Sequence, residues 1–444
     1  MDNFFKKNKI YNNSELQDFL ISLESRYKIE LARDKYHNLV NFSTNKIVPF
    51  HKWFIYREGF SCELITELIK MSGAGKEEFI IDPFCGSGTT NIVASLNGYN
   101  NIGLDVNPMS AYITDVKIDH YSVEDINKTR EVLATLEAYP VQEITTSLDD
   151  IKRYFSTKNF KELIVIREFI NSQSNQKVRK LLKAAFISII IDCSDRKRDG
   201  NGLKKRESKV NSVYTLYKNQ VILMLQDVQE NTINKSIQTK GIYDSAYNMN
   251  TVFKRNYSDA SVGAIIFSPP YANSFDYFES YKLELVLGGF VGSIKDLGLL
   301  REKAVRSFIG VRKQRTCEKY IDLIAEEIEN AIPAKEKETG RIDTRSRKVP
   351  NMIRGYFEDM NEVLRQCSLC LKKGKKTYIV VDQSSYLGKV IPTDLLLSYL
   401  AEQNNFSVEK IIECRSARTS TQQLKKYPYL KQGLRESIIE LKKL

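Results

Sequence analysis

The chain has 444 residues, enough for one large hydrophobic core or two smaller ones. Hydrophobic residues make up 42% of it, and no apolar run approaches the roughly 18 residues of a membrane-spanning helix, so the sequence predicts no such helix. The formal net charge of +12 is compatible with a polyanionic partner such as nucleic acid.

Cysteine and histidine usage also limits the chemistry. The seven cysteines are an odd number at irregular spacings, and no secretory signal is visible, so we expect a reduced, cytoplasmic setting. Cys367 and Cys370 form one CxxC pair, but a second CxxC or paired histidines are missing. The sequence therefore predicts no metal site.

The amino-terminal part of the chain is polar and then becomes aromatic. Residues 1–45 predict a helical segment. The stretch from Val48 to Ser61 contains the single tryptophan and leads into a helix predicted over residues 63–71. This stretch either covers the core or forms a wall for a flat, apolar ligand, and the sequence leaves both possibilities open.

A glycine-containing loop follows the first strand of an α/β pattern. The strand is predicted over residues 78–81, the loop reads Asp82-Pro-Phe-Cys-Gly-Ser-Gly-Thr-Thr90, and a helix follows over 91–96. Glycines without a Cβ and free N–H groups at a helix start let a ligand approach the backbone closely. The loop has neither the lysine of a P-loop nor the GxGxxG spacing of the dinucleotide fingerprint. Asp82 could accept from a ligand ammonium group or from N–H groups of the loop.

Acidic residues end two further predicted strands. Asp105 follows the strand over 101–104, about 20 residues after the loop, a position that suits the two hydroxyl groups of a ribose. Asp244 lies within a short strand segment predicted over 241–246. A nucleoside ligand with a cationic or polar head fits this pattern better than a pyrophosphate does.

Two insertions interrupt the α/β pattern. Residues 121–239 predict mostly helices with a basic loop at 195–206, and residues 291–351 are irregular and basic, with a helix over 318–330. Each is either a solvated surface or a surface that contacts phosphate groups. The candidate nucleic-acid contacts are Arg196, Lys197, Arg198, Lys204, Lys205, Arg312, Lys313, Arg315, Arg345 and Arg347.

An apolar strand predicted over residues 264–267 ends in Ser268-Pro269-Pro270-Tyr271. Neither proline can continue a central strand, and Ser268 is pushed toward an extended conformation because it precedes a proline. The Ser268 hydroxyl, a backbone carbonyl and the Tyr271 ring could then converge on one flat object. A plain surface turn is the alternative.

The carboxyl-terminal part completes the α/β pattern. Helices are predicted over 280–287, 356–371 and 392–402, and a strong strand over 378–381. Two late strands, over 408–414 and 437–441, are expected to pair as an antiparallel hairpin at a sheet edge.

The Asp82–Thr90 loop and the Ser268–Tyr271 turn together resemble the motifs of DNA amino-methyltransferases, and residues 50–61 resemble that family's amino-terminal cofactor motif. The resemblance implies a class I methyltransferase fold: an α/β, Rossmann-like, mostly parallel sheet with a terminal antiparallel strand, plus largely helical insertions. Residues 46–120, 240–290 and 352–444 would form the catalytic domain. Residues 121–239 become a candidate DNA-binding insertion and 291–351 a candidate target-recognition insertion. Which of the two reads the target is open.

The resemblance also implies the residues of the site. The cofactor would be S-adenosylmethionine, with Asp105 at the ribose and Asp244 near the adenine. The cofactor-binding residues would be Phe60, Ser61, Asp82, Phe84, Gly86, Gly88, Thr89, Thr90, Asp105, Val106, Asn107, Asp244 and Ser245. The catalytic residues would be Ser268, Pro269, Pro270 and Tyr271.

The Ser-Pro-Pro-Tyr form resembles the cytosine-N4 enzymes more than the adenine-N6 enzymes, whose motif usually begins with Asp or Asn. The resemblance therefore implies site-specific methylation of cytosine N4 in double-stranded DNA, on a base flipped out of the duplex. Adenine N6 in DNA and an exocyclic amine in RNA are the alternatives. A restriction-modification role is expected, with a cognate restriction or defence component as a further partner and no membrane partner.

Overall fold

The computed structural model describes residues 3–56, 59–140, 148–200, 202–310, 318–417 and 419–444. The strands are β1 (Ile29–Leu31), β2 (Phe79–Asp82), β3 (Asn101–Asp105), β4 (Arg196–Asp199), β5 (Gly202–Lys205), β6 (Thr239–Tyr243), β7 (Val262–Phe267), β8 (Leu371–Asp382), β9 (Ser384–Tyr386), β10 (Lys389–Ile391), β11 (Phe406–Ser416) and β12 (Arg435–Lys443).

The helices lie before, between and after these strands. In the first half of the chain they are α1 (Phe4–Lys7), α2 (Ser14–Arg26), α3 (Arg33–Tyr36), α4 (Cys62–Ser72), α5 (Thr89–Leu96), α6 (Pro108–Lys117), α7 (Val123–Ala134), α8 (Asp149–Lys152), α9 (Thr157–Asn171), α10 (Gln176–Cys193) and α11 (Val213–Glu230). In the second half they are α12 (Met249–Asn256), α13 (Tyr277–Ser280), α14 (Lys282–Leu287), α15 (Leu297–Arg301), α16 (Lys319–Thr339), α17 (Val349–Cys370), α18 (Thr393–Gln403), α19 (Thr421–Lys426) and α20 (Leu430–Gly433). None of the described helices combines the length and apolar character that a membrane crossing needs.

Eight strands form one sheet in the order β1-β11-β12-β8-β7-β2-β3-β6. Strands β6, β3, β2, β7 and β8 are parallel, and β12 is antiparallel to both of its neighbours, β8 and β11. The predicted class I methyltransferase sheet, mostly parallel with an antiparallel last strand, is confirmed.

The central strands β2 and β7 are buried along their whole length because helices cover both faces of the sheet. On β2, Ile80 packs with α4 and α5 on one face, whereas Phe79 and Ile81 face the cluster that contains α17 and α18. The alternation of side chains along a strand thus divides the core between the two faces.

The late pair β11 and β12 is antiparallel as predicted, but it does not form a sheet edge. Strand β12 lies between β8 and β11, and β1 pairs in parallel with β11 on its outer side. Residues 1–45 therefore contain a strand as well as helices. Three residues are too few to show the alternation by which a strand is predicted.

The insertion over residues 121–239 is largely helical and shares a core with α6, α14 and the aromatic residues Phe50, Trp53 and Phe54. The basic loop predicted at 195–206 is instead an antiparallel hairpin of β4 and β5. The hairpin is short and charged on both faces, so its sequence lacks the apolar alternation of a half-buried strand.

Candidate active site

A cleft opens at the carboxyl ends of β2, β3 and β7, where the strand order reverses on either side of β2. Ligands of open α/β sheets bind at such a reversal. The cleft encloses about 850 Å³, including space open to solvent. It is lined by Tyr56, Gly59, Phe60, Asp82, Phe84, Cys85, Gly86, Ser87, Thr89, Asp105, Val106, Asn107, Ser268, Pro270, Phe275, Tyr277, Phe278, Ala304, Val305, Ser307 and Phe308.

The loop after β2 needs glycine at two positions. Gly86 and Gly88 have φ of +52° and +85°, in the left-handed region that side chains with a Cβ rarely adopt. A Cβ on Gly88 would also lie 2.8 Å from Thr114 Oγ1. The loop therefore approaches α6 more closely than any other residue type would allow.

Helix α6 fixes the path of this loop through two hydrogen bonds. The Thr114 hydroxyl donates to the Gly86 carbonyl at 3.1 Å, and the Lys117 ammonium nitrogen donates to the Ser87 carbonyl at 3.0 Å. Lys117 is 1% exposed, and burial lowers its pKa to about 7. A lysine this deeply buried is not a solvated surface charge, and its hydrogen bond to Ser87 stabilises the loop.

Asp105 lies at the end of β3 and holds the same loop from the other side. Its carboxylate accepts from the Gly86 N–H at 2.9 Å and from the Asn107 N–H at 2.8 Å. Burial nevertheless raises the pKa of Asp105 to about 6. The two hydrogen bonds fix the orientation of this carboxylate, which lies on the wall of the cleft.

Asp82 ends β2 and is 2% exposed. Its carboxylate accepts from the Phe84 N–H at 2.9 Å, and burial raises its pKa to about 7. A buried carboxyl group with a raised pKa in a cleft is a candidate functional group, and a cationic ligand group beside it would favour its ionised form.

The turn after β7 brings polar groups to the opposite side of the cleft. The Ser268 hydroxyl lies 3.0 Å from the Val380 carbonyl and 3.2 Å from the Tyr271 hydroxyl. Tyr271 is 8% exposed, and its hydroxyl donates to Glu436 on β12 at 3.3 Å. The Pro269 carbonyl accepts no hydrogen bond from the described part of the chain.

A segment from the second insertion closes the wall beside this turn. The Ser274 N–H donates to the Ser307 carbonyl at 3.0 Å. Next to Ser307, the Arg306 guanidinium donates to the Asp359 carboxylate at 2.8 and 2.7 Å and is 8% exposed. Arg306 therefore holds this segment to α17, while its neighbours Ala304, Val305, Ser307 and Phe308 line the cleft.

The cleft brings together most of the predicted site residues. Phe60, Asp82, Phe84, Gly86, Thr89, Asp105, Val106 and Asn107 line it together with Ser268 and Pro270. The remaining predicted residues lie nearby but outside the lining. Ser61 caps α4, and Asp244 and Ser245 line an adjacent pocket that shares Val106 with the cleft. Gly88 and Thr90 belong to the glycine loop and Pro269 and Tyr271 to the turn after β7, but none of the four lines the cleft.

The candidate nucleic-acid residues fall into different environments. On the β4–β5 hairpin, Lys197, Lys204 and Lys205 are exposed. Arg198 is not available in the same way, because it forms an ion pair with the buried Glu284 and its guanidinium lies 4.4 Å from the centre of the Tyr281 ring. Nothing in the sequence indicated this ion pair, because its two partners are 86 residues apart.

The remaining candidate nucleic-acid residues also lie in different environments. Arg196 lies over the Tyr154 ring at 5.0 Å, and Arg347 forms a two-pronged ion pair with Glu336 at 2.8 Å. Arg345 is exposed. The predicted contacts Arg312, Lys313 and Arg315 lie outside the described residues.

Sequence reasoning missed several aromatic residues of the cleft. Tyr56 stacks on Tyr281 with ring centres 5.0 Å apart and planes 4° from parallel, and Phe275, Tyr277 and Phe278 form the wall after the Ser268–Tyr271 turn. The density of aromatic residues just after that turn could have indicated them. Nothing in the sequence singles out residues 304–308.

Comparisons with known proteins bear on this cleft. A family model described as DNA methylase, of the N6/N4 methyltransferase type, matches residues 4–115, which include the Asp82–Thr90 loop and Asp105. The type II methyltransferase M.BsoBI of Geobacillus stearothermophilus is 26% identical over 94% of this chain and 91% of its own length. The type II methyltransferase M.AvaI of Nostoc sp. is 26% identical over 92% of this chain and 90% of its own.

These matches support a DNA amino-methyltransferase. The chain also matches the type II methyltransferase M.MvaI of Kocuria varians, at 20% identity over 84% of this chain. Among solved structures, an rRNA methyltransferase of Streptomyces viridochromogenes matches at 10% identity over 86% of this chain with a TM-score of 0.27, which is too low to support any argument.

The residues of this methyltransferase fit an S-adenosylmethionine molecule. The glycine loop leaves space at the start of α5, Asp105 presents a carboxylate, and Tyr56, Phe60 and Phe84 supply apolar walls. The buried side-chain nitrogen of Asn107, which also lines the cleft, has no hydrogen-bond partner in the described part of the chain. A buried donor without a partner is expected where a ligand supplies the acceptor.

Proposed function

We propose that this DNA methyltransferase transfers a methyl group from S-adenosylmethionine to the exocyclic N4 of cytosine in double-stranded DNA. The observation that carries the proposal is the pairing, across one cleft, of a glycine loop held by Asp105 with a Ser-Pro-Pro-Tyr turn that begins with a hydroxyl group. The first turn residue, serine, is what favours cytosine over adenine, in line with the resemblance of the motif.

S-adenosylmethionine, when bound, supplies an electrophilic methyl carbon, whose bond to sulfur breaks with its electron pair as the amine nitrogen bonds to the carbon. Asp105 would accept from the ribose hydroxyl groups, and Asp82 would face the cationic part of the molecule. Asp244 and Ser245 lie beside Val106, in the direction that suits an adenine ring. Because Gly86 and Gly88 have no Cβ, the cofactor could approach the backbone of this loop closely.

The turn after β7 prepares the amine for attack. The nitrogen of an aromatic amine is a weak nucleophile because its lone pair is conjugated with the ring. An N–H donated to Ser268 Oγ and a second donated to the Pro269 carbonyl would hold the nitrogen and draw its lone pair out of conjugation. Position and electrostatics would then account for most of the acceleration.

The target base must leave the duplex to reach this cleft. Tyr271, which follows the lining residue Pro270, is the proposed stacking partner of the flipped base, and Phe275, Tyr277 and Phe278 line the cleft. The exposed lysines of the β4–β5 hairpin are proposed to contact DNA phosphates, because the hairpin adjoins the cleft through Arg198, Tyr281 and Tyr56.

One experiment decides the substrate. Purified enzyme is incubated with labelled S-adenosylmethionine and either duplex DNA or RNA, and the modified nucleoside is identified by mass spectrometry. N4-methylcytosine in DNA supports the proposal. N6-methyladenine in DNA would assign the enzyme to the adenine-N6 class. Labelled methyl groups in RNA and none in DNA would refute a DNA substrate. Loss of activity in both Ser268→Ala and Tyr271→Ala is expected, and full activity in both would refute the mechanism.

A further inference from the structure

We propose that Glu436 accepts, through Tyr271 and Ser268, the proton that the target amine must release. The inference rests on the proposed function, because it requires an amine to be methylated in this cleft. It adds a role for a residue on β12, a strand that contributes nothing to the cleft lining.

Three side chains, two from the turn after β7 and one from β12, form a chain of hydrogen bonds. The Ser268 hydroxyl lies 3.2 Å from the Tyr271 hydroxyl, which lies 3.3 Å from Oε1 of Glu436. Tyr271 is 8% exposed and Glu436 is 3% exposed. Such a path is shielded from bulk water, so a proton moves along the side chains and not through solvent.

The last member of the chain fixes the direction of the hydrogen bonds. An ionised carboxylate only accepts, so the Tyr271 proton points to Glu436 and the tyrosine oxygen is left to accept from Ser268. The lone pairs of Ser268 Oγ then remain for a substrate N–H. The Val380 carbonyl, 3.0 Å from the same oxygen, offers the Ser268 proton a second acceptor.

A second strand places a positive charge beside Glu436. The Arg415 guanidinium on β11 donates to Oε2 of Glu436, whereas the Tyr271 hydroxyl donates to Oε1. A guanidinium in direct contact favours the charged form of a carboxylate. Glu436 is therefore a buried carboxylate that pairs with Arg415 and is connected to the cleft through Tyr271.

The proton balance explains why such a path is needed. Methylation leaves the amine nitrogen with a positive charge and one proton too many, and a serine hydroxyl cannot keep that proton because a protonated alcohol is a strong acid. The nitrogen gives its proton to Ser268, Ser268 gives its own to Tyr271, and Tyr271 gives its own to Glu436. Both hydroxyl groups are restored, the carboxylate becomes a carboxylic acid, and its proton passes to solvent when the product leaves.

Two variants remove single steps of this path with little change of shape. Glu436→Gln keeps an oxygen acceptor for Tyr271 but removes its basicity, and Tyr271→Phe keeps the ring that would stack on the base. We expect each to lower the single-turnover rate of methyl transfer on the order of 100-fold. The double variant should be no slower than either single variant, because both act on one path. Glu436→Asp should recover part of the rate.

Three further measurements distinguish this role from a structural one. The wild-type single-turnover rate should fall at acid pH as Glu436 becomes protonated, and this acid limb should be absent in Glu436→Gln. In the protein without cofactor, the ¹³Cζ NMR signal of Tyr271, assigned by its loss in Tyr271→Phe, should shift in Glu436→Gln. Cofactor and DNA affinities should remain those of the wild type.

Glu440→Gln is the matched control. Glu440 lies on the same strand, is 4% exposed and forms an ion pair of 2.7 Å with Lys376. Its replacement removes a buried, paired carboxylate that has no connection to the turn, so the wild-type rate and pH profile should persist.

The inference and the proposed function fail in different ways. Wild-type protein that methylates no DNA refutes the proposed function and the relay with it. Active wild type with full rate in Glu436→Gln, or with rate reductions that multiply in the double variant, refutes the relay alone. If Glu436→Gln does not fold, judged by circular dichroism, a Tyr271→Phe variant with full rate and an unchanged pH profile still refutes it.

Discussion

The backbone N–H of Gly86 donates a hydrogen bond of 2.9 Å to the Asp105 carboxylate, which joins the loop after β2 to the end of β3. Replacing Asp105 by alanine removes both the anchor of the loop and the proposed acceptor of the ribose hydroxyl groups. We expect cofactor affinity to fall by about 10- to 100-fold, the effect of removing one or two charge-assisted hydrogen bonds. Calorimetry with S-adenosylmethionine measures this directly.

Asp119→Ala is the control for that variant, because Asp119 pairs with Lys180 on the surface and does not line the cleft. An Asp105→Ala variant that binds the cofactor as tightly as Asp119→Ala does would contradict the ribose assignment.

The steric demand of the loop can be tested with a pair of glycines. Gly88→Ala combines a φ of +85° with a Cβ 2.8 Å from Thr114 Oγ1, whereas Gly73→Ala combines a φ of +64° with no atom within 4 Å. Both variants should lose about 1 kcal/mol of unfolding free energy from the left-handed backbone. Only Gly88→Ala should also weaken cofactor binding, as measured by calorimetry. Equal cofactor affinities in the two variants would show that the close approach of loop and α6 is unimportant.

Cofactor binding should depend on pH through Asp82. Burial raises its pKa to about 7, so the contribution of the protonated carboxyl to stability is present at acid pH and is lost as the pH rises toward 7. A cationic ligand requires the ionised form and lowers this pKa, so affinity should rise between about pH 6 and pH 8, by at most about tenfold per unit.

The measurement is calorimetry in two buffers with different ionisation enthalpies, which counts the protons released on binding. Asp82→Asn, which cannot ionise, should bind more weakly and release fewer protons below neutral pH. Unchanged proton release in Asp82→Asn would show that another group causes the pH dependence. Asp105 would then be the next candidate, because burial raises its pKa to about 6.

Ser268→Ala should separate catalysis from binding. The hydroxyl contacts Val380, Tyr271 and the proposed amine, but no residue of the glycine loop, so methyl transfer should fall on the order of 100-fold while cofactor affinity stays constant. Ser72→Ala is the control, since its hydroxyl donates to the Ile69 carbonyl on α4, outside the cleft lining. A Ser268→Ala enzyme as fast as Ser72→Ala would rule out a role for the hydroxyl in the reaction.

The exposed lysines of the β4–β5 hairpin predict a salt-dependent contribution to DNA binding. Replacing Lys197, Lys204 and Lys205 by alanine should weaken binding to duplexes of any sequence. It should also reduce the slope of log affinity against log salt by about 0.9 for each DNA phosphate that the variant no longer neutralises. Fluorescence anisotropy at several salt concentrations gives this slope.

The same change at three exposed lysines of the amino-terminal segment, Lys6, Lys7 and Lys9, serves as the control. Both triple variants lower the net charge equally, so a slope that changes by the same amount in both would indicate a general charge effect and no specific binding of DNA at the hairpin.

The fold could be predicted from local sequence features where burial is complete. Strands Phe79–Asp82 and Val262–Phe267 are buried along their whole length because helices cover both faces of the sheet. Apart from the terminal Asp82, each is therefore a continuous apolar run that is visible in the sequence alone. The short strand β1 and the charged hairpin β4–β5 were missed because each depends on its neighbour and carries no strong alternation of its own.

By itself, the sequence determined which residues end the central strands. Parallel strands place their carboxyl ends at one edge, so Asp82, Asp105 and Ser268 had to come close together once the strands were recognised. Only the tertiary structure decided what surrounds them. Tyr271 meets Glu436 across 165 residues, and Arg198 is held by Glu284, because contacts between distant parts of the chain follow from packing and leave no spacing in the sequence.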